Sequence, residues 1–264
     1  MKYAIVNGEK IEAFEGGRGV CPVCESNLIA KCGEVRIHHW AHSKKQECDH
    51  WWESETEWHR QWKGNFPVEW QEVIHFDGSG EKHIADVKTD SGLVIEFQHS
   101  HIKPEERRSR EHFYGNMVWV VDCTRLKRDY PKFLKGKSLF RQTQTQGLFQ
   151  LEYPEACFPT TWLESEVHVV FDFLGMESLT DPQNPRVPLY YLFPNQNLRE
   201  SRVAVISRES FVANTINGRW FQKQKEDKDQ IAQTFKQIKS VKRKRSSTHY
   251  YDRRRKRFVK KRRL

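Results

Sequence analysis

Apolar and polar positions alternate through residues 2–14, KYAIV-NG-EKIEAF, on either side of an Asn7-Gly8 pair. Alternation of period two marks half-buried strands, and Asn-Gly accepts the positive φ of a tight turn, so a small β-hairpin opens the chain. Gly16, Gly17 and Gly19 then lead into a Cys- and His-rich stretch that ends near His50. From there the period changes. WWESETEWHRQWK, residues 51–63, has helix-favouring composition with Trp58 and Trp62 four apart, and Gly64 and Pro67 bound its far end. Val68–Phe76, Lys82–Lys88 and Leu93–Ser100 read as three strands separated by a Gly-Ser-Gly and an Asp-Ser-Gly turn. Pro104 opens a charged helix through about Tyr114, and Met117–Asp122 is an unbroken apolar run suited to a buried strand. The expected order is α-β-β-β-α-β, a mixed α+β or α/β core.

Beyond Asp122 the pattern is weaker. Residues 125–150, rich in Lys, Gln and Gly, read as a linker or insertion; strands are suggested at Val167–Phe173 and Val203–Ser207, with a Pro-rich loop at 182–194 between them. This stretch suggests a second small domain. Residues 223–241 suggest a helix with Ile231, Phe235 and Ile238 on one face. The expected division is 1–50 for a hairpin and metal-binding domain, 51–124 for the core, 125–222 for the C-terminal region, and 223–264 for a helix and basic tail.

The longest apolar stretches, Val167–Leu174 and Met117–Val121, fall far short of the roughly 20 residues that cross a bilayer, and the N-terminus lacks a signal peptide's apolar run. A soluble, cytoplasmic protein is expected. The net charge of +10 suggests nucleic acid until it is divided along the chain. Residues 239–264 hold 14 Lys or Arg and one acid, hence +13, and the remaining 31 bases and 34 acids leave residues 1–238 at −3. The basic blocks KRKR (242–245), RRRKR (253–257) and KKRR (260–263) suit phosphate backbones, with Tyr250 and Tyr251 between them able to stack on unpaired bases.

Candidate chemistry concentrates in HIADVKTDSGLVIEFQHS. With its turn centred on Ser91, Asp86 and Glu96 oppose each other on neighbouring strands. Like charges so placed destabilise a sheet, so something positive should sit between them. Gln98, two residues beyond Glu96, shares their face, whereas Ile95 and Phe97 point the other way. Two carboxylates can hold a hard cation such as Mg²⁺, which lowers the pKa of a bound water, and Gln98 can orient that water. The first helix can aim Glu55, His59 and Lys63, at i, i+4 and i+8, toward the same point, with Glu57 as an alternative to Glu55.

Four of the six cysteines (Cys21, Cys24, Cys32, Cys48) fall within 28 residues, and nine of the twelve histidines lie between His38 and His101. In a chain without export signals this favours metal over disulfides. Cys21-Pro-Val-Cys24 followed by His39 and His42 has the spacing of a closed, structural Zn²⁺ site. His38 with His42 fits equally well by count, and Cys48 or His50 can replace either histidine. Alternation with Val35 and Ile37 favours His39.

The motifs CPVC, HHWAH, SETEWHRQWK, HIADV and IEFQHS together resemble the competence protein CoiA-like nucleases, and the element order with Asp…Glu-x-Gln resembles the PD-(D/E)xK superfamily to which they belong. The resemblance spans roughly residues 1–122. It implies that Asp86 and Glu96 bind the divalent metal, with Glu55 as a supporting ligand, and that Gln98 stands where a lysine is usual; Lys63 or His59 would then supply the missing charge. It also favours the HWAH histidines as zinc ligands. The expected function is Mg²⁺- or Mn²⁺-dependent hydrolysis of DNA phosphodiesters, in DNA processing or in defence against foreign DNA. The alternatives are a non-cleaving DNA-binding protein of competence or recombination, and a nuclease subunit activated by a protein partner.

Overall fold

The computed structural model describes residues 1–44, 48–51, 53–194, 200–219, 249–252 and 257–260. Met1–Asn217 form one compact unit and Gly218–Leu264 a second. The expected helix at 223–241 and most of the basic blocks lie outside the described residues.

The first unit opens with β1 (Tyr3–Val6), β2 (Glu9–Glu12), β3 (Arg18–Val20), β4 (Asn27–Lys31) and β5 (His39–His42), a five-stranded sheet in the order β2-β1-β3-β4-β5. The hairpin forms at the expected place, with Val6 paired to Glu9 and φ of 52° and 86° at Asn7 and Gly8. Both angles suit the tight turn that Asn-Gly favours. Met1, Ala4, Cys21, Val23, Leu28 and Trp40 form its core, onto which Ile74 and Ile84 pack from the neighbouring sheet.

That second sheet is built around α1 (Glu57–Lys63), β6 (Gln71–Phe76), β7 (Lys82–Lys88), β8 (Val94–Gln98), α2 (Pro104–Tyr114) and β9 (Met117–Asp122). The α-β-β-β-α-β order is present. Strands β6, β7 and β8 are antiparallel, and α2 carries the chain back so that β9 lies parallel to β8. All six residues of β9 are buried, as expected for a strand flanked by parallel neighbours. Strand β8 is shorter than the expected Leu93–Ser100, and two boundaries differ further. Helix α1 begins at Glu57 because Thr56 caps it through a capping box with His59, which leaves residues 53–56 outside the helix. Val68–Trp70 form a 3₁₀ turn, so β6 starts only at Gln71.

The chain continues through α3 (Asp129–Gly136), β10 (Phe140–Gln142), β11 (Leu148–Glu152), β12 (His168–Asp172), β13 (Leu189–Leu192), β14 (Glu200–Ile206) and α4 (Arg208–Ile216). These strands make no sheet of their own. They extend the core into nine strands in the order β10-β11-β14-β13-β12-β9-β8-β7-β6, with β12 parallel to β9. The segment 125–150 is likewise no simple linker: Phe133 of α3 is fully buried, and β10 and β11 pair there. Strand β13 arises inside the Pro-rich stretch because all four residues of LYYL are buried.

Asp172, at the end of β12, fixes α1 to this sheet. It is fully buried and accepts from the indole N–H groups of Trp58 (2.9 Å) and Trp62 (3.1 Å) through Oδ2, while its Oδ1 takes the Arg208 guanidinium (2.5 Å). Trp62 also stacks on Phe97 of β8, with ring centroids 5.7 Å apart. In the second unit, β15 (His249–Asp252) and β16 (Arg257–Lys260) form an antiparallel ribbon that contains Tyr250 and Tyr251.

Candidate active site and metal centre

The CPVC segment forms the turn between β3 and β4, closed by Cys21 N–H donating to Ser26 O and Glu25 N–H donating to Cys21 O, both 2.9 Å. His42 ends β5 directly opposite Leu28 of β4, and Cys48 follows from the next loop. One donor atom each from Cys21, Cys24, His42 and Cys48 lie within 4.8 Å of one another. The Cys21 and Cys48 sulfurs are 3.7 Å apart, and Cys24 Sγ lies 3.3 Å from His42 Nε2. A tetrahedron drawn with ordinary Zn–S and Zn–N bonds has S···S and S···N edges of about 3.8 and about 3.5 Å. The donors therefore fit Zn²⁺ with little movement.

The fourth donor of the cluster differs from expectation: Cys48 stands there in place of His39. HWAH is a strand, so residues 39 and 42 face opposite ways, and His39 Nδ1 donates instead to the Ile37 carbonyl at 2.9 Å. Burial pushes the Cys21 and Cys48 thiols up. Burial acts on Cys24 too, but hydrogen bonds from Ser26 and His42 outweigh it and draw that thiol down to about 6, toward the thiolate that metals prefer.

The second site lies where β7 and β8 part. The two strands pair at Val87↔Ile95 and Lys88↔Val94, a register that sets Asp86 opposite Glu96. There backbone pairing stops and each carboxylate takes an N–H of the other strand: Glu96 Oε1 accepts from Asp86 N (3.2 Å) and Asp86 Oδ2 from Phe97 N (3.0 Å). On its other side Asp86 faces a third acid. The β6–β7 register runs from Gln71↔Val87 to Val73↔Ala85 and passes over Glu72, which stands opposite Asp86 at a φ of 45°. A non-glycine residue there costs on the order of 1–3 kcal/mol and is held by its surroundings. Glu72 is held by the backbone N–H groups of Lys2 and Tyr3 and by Lys63.

Lys63 and Arg110 reach this gap from the two faces of the sheet. Lys63 Nζ lies 2.5 Å from Glu55, 3.0 Å from Glu72 and 3.6 Å from Asp86. Arg110 Nη1 lies 3.4 Å from Glu96 Oε2. Burial would lower the Lys63 ammonium, but Glu72, Asp86 and Glu55 together hold it well above the usual lysine range. Burial would raise Glu72, yet Lys63 and the chain's amino group bring it down to about 2. Glu96 goes the other way, pushed up to about 8 by burial and then by Asp86. The acids lining the cleft (Asp49, Glu53, Glu55, Glu72, Asp86, Glu96) enclose a cavity of about 60 Å³. That is room for an ion with some of its waters.

The remaining expected residues divide. Glu55 reaches the cleft from the segment before α1, whereas Glu57 is exposed and points elsewhere. His59 is buried with both ring nitrogens engaged: Nε2 donates to Phe97 O (3.0 Å), and Nδ1 accepts from Thr56 N (3.1 Å) in the cap of α1. It positions the helix. Gln98 is buried and donates to Glu53 Oε2 at 2.6 Å, while Glu53 Oε1 accepts from Ser100 N at 2.6 Å. Glu53, Glu72 and Arg110 escaped sequence reasoning. Only Glu72 left a signal: the count that opposes Glu96 to Asp86 can be repeated across the Gly-Ser-Gly turn.

Residues 6–50 match the family model described as Competence protein CoiA, N-terminal domain, a span that contains all four residues of the thiolate cluster. The match supports a CoiA-like assignment of that N-terminal span. No curated protein and no solved structure matches it. Among the described residues, no helix is long and apolar enough to cross a membrane.

Proposed function

We propose that the chain is a divalent-metal-dependent nuclease whose PD-(D/E)xK-type core, residues 53–122, hydrolyses DNA phosphodiesters in a competence-related process. The observation that carries this reading is the acid pair Asp86–Glu96, opposed across parted strands in an ion-sized cavity. Mg²⁺ or Mn²⁺ bound there would polarise the phosphate and lower the pKa of an attacking water. Asp86 and Glu96 would hold it, with Glu55 and Glu72 close enough to assist. Five further acids around Glu96 against Lys63 and Arg110 leave the cleft short of positive charge, which fits a cation. Lys63 neutralises Glu55 and Glu72 and lies 3.6 Å from Asp86, where its charge would also face the phosphate. Gln98, anchored by Glu53, can orient the water. The zinc-type cluster has a structural role, and the basic tail adds sequence-independent affinity for DNA.

Full-length protein should cleave plasmid or single-stranded DNA only with Mg²⁺ or Mn²⁺, and Asp86→Asn and Glu96→Gln should each abolish cleavage. Undiminished cleavage by both variants would reject the site. A second reading, a core that grips DNA without cutting it, draws on Lys63, whose ammonium already sits among Glu55, Glu72 and Asp86. It requires salt-sensitive DNA binding with no cleavage under any metal.

A further inference from the structure

We propose that Asp49, His50 and His83 form a second transition-metal site, separate from the thiolate cluster, that takes a divalent ion of the Zn²⁺ class. One donor atom from each lies within 4.8 Å of the others. Asp49 and His83 are buried and His50 is exposed, so the site has a rigid floor and one side open to solvent. Asp49 is fixed by the backbone: its Oδ1 accepts from Trp51 N and its Oδ2 from Ile84 N, both 2.9 Å. His83 is fixed as firmly, with Nδ1 2.8 Å from Asp49 Oδ1 and its ring stacked on Trp51 at 3.4 Å. The His50 ring stands edge-on to His83 at 5.0 Å.

The donor chemistry points to a borderline metal. Two imidazoles and a carboxylate suit Zn²⁺ and its first-row neighbours, whereas Mg²⁺ and Ca²⁺ take oxygen donors. Glu81 Oε1 lies 3.0 Å from the other His83 ring nitrogen, Nε2, and orients the imidazole from outside the donor set. His83 thus faces a carboxylate oxygen on each ring nitrogen. Binding would tie the segment Cys48–Trp51 to the start of β7. It would also steady the cleft wall, since the Trp51 carbonyl accepts from Arg110 Nη2 at 2.6 Å and the same guanidinium reaches Glu96.

The test compares metal-depleted full-length chains with and without His50→Ala, both carrying Asp86→Ala so that the acidic cleft does not contribute. After loading with Zn²⁺ and desalting, elemental analysis should find one metal equivalent fewer in the His50→Ala chain. Loaded instead with Co²⁺, both chains should show the same thiolate-to-metal charge-transfer absorption, because the Cys₃His cluster is intact in each. Equal metal content would overturn the proposal. So would a loss of metal accompanied by loss of the thiolate band, which would assign His50 to the first cluster. His83→Gln provides a second variant and should lose the same equivalent.

Discussion

Replacing Glu96 by Gln should stabilise the protein above neutral pH when Mg²⁺ and Mn²⁺ are absent. Glu96 is 5 % exposed, and burial together with Asp86 raises its carboxyl from 4.5 to about 8. Because the folded value lies above the unfolded one, its contribution to stability is fully present below about pH 4.5 and is lost as the pH rises through about 8. At roughly 1.4 kcal/mol per pKa unit, the whole span amounts to about 5 kcal/mol. That figure is an upper bound, since the new amide faces Arg110 less favourably than a carboxylate does. A few kcal/mol should remain. The assay is urea unfolding of the zinc-loaded chain and of Glu96→Gln at about pH 5, 7 and 9. The two should nearly coincide at the lowest pH and separate progressively, with the variant more stable at the highest. Adding Mn²⁺ at about 100 times its Kd should stabilise only the wild type, by about 2.7 kcal/mol. A variant that follows the wild-type pH slope, or that is the less stable protein at pH 9, would refute the reasoning.

Asp172→Ala leaves the Trp58 and Trp62 indoles, two backbone N–H groups and the Arg208 guanidinium without their acceptor, and should cost about 3–5 kcal/mol in urea unfolding. Cys48→Ser should weaken zinc binding, measured by chelator competition, by more than the roughly 10–100-fold typical of outer-shell changes, whereas His39→Ala should leave it unchanged. The hydrogen bond from His99 to Asp122 raises the imidazole; its stabilisation is present below the ordinary histidine value and is lost as the pH rises through the raised one. Asp122 is lowered, despite its burial, by His99 and Thr124, so its share is lost as the pH falls through that lowered value. The coupling between His99→Asn and Asp122→Asn, read from thermal melts in a double-mutant cycle, should therefore be larger at about pH 5 than at about pH 9. Ending the chain at Ile238 removes a charge of +13 and should reduce the dependence of DNA affinity on salt, measured by fluorescence anisotropy.

Local chemistry made part of this molecule legible before its fold was known. Asn7-Gly8 accepts only a narrow set of turns, the apolar run 117–122 suits only a covered strand, and the turn about Ser91 sets the register that opposes Asp86 to Glu96. Residues whose partners are remote in sequence were harder to find. Cys48 joins the zinc-type cluster from a different loop, and spacing alone could not rank it against His39; strand alternation settles the matter once HWAH is known to be extended. Glu53 and Glu55 lie in a segment whose composition favours helix, but Thr56 and His59 cap the helix later and leave the two acids free to turn inward. Strands β10, β11 and β13 are short and sit in polar or Pro-rich surroundings, and only pairing within a nine-stranded sheet makes them strands.

Residues 125–217 gain a purpose from this arrangement. The acidic cleft depends on where Lys63 sits, because its ammonium contacts Glu55, Glu72 and Asp86. Lys63 lies in the last turn of α1, a helix of seven residues that is too short to be stable by itself. Three anchors hold it. The Thr56–His59 cap fixes its start, His59 Nε2 ties it to the Phe97 carbonyl of β8, and the two indoles bind Asp172. Asp172 belongs to β12, outside the α-β-β-β-α-β core, and Arg208 of α4 holds its second oxygen. A fragment limited to residues 53–122 would keep Asp86 and Glu96 opposed, yet it would lose the acceptor that orients both tryptophans and, through them, the lysine. The far half of the sheet is thus part of the machinery that sets charge in the cleft.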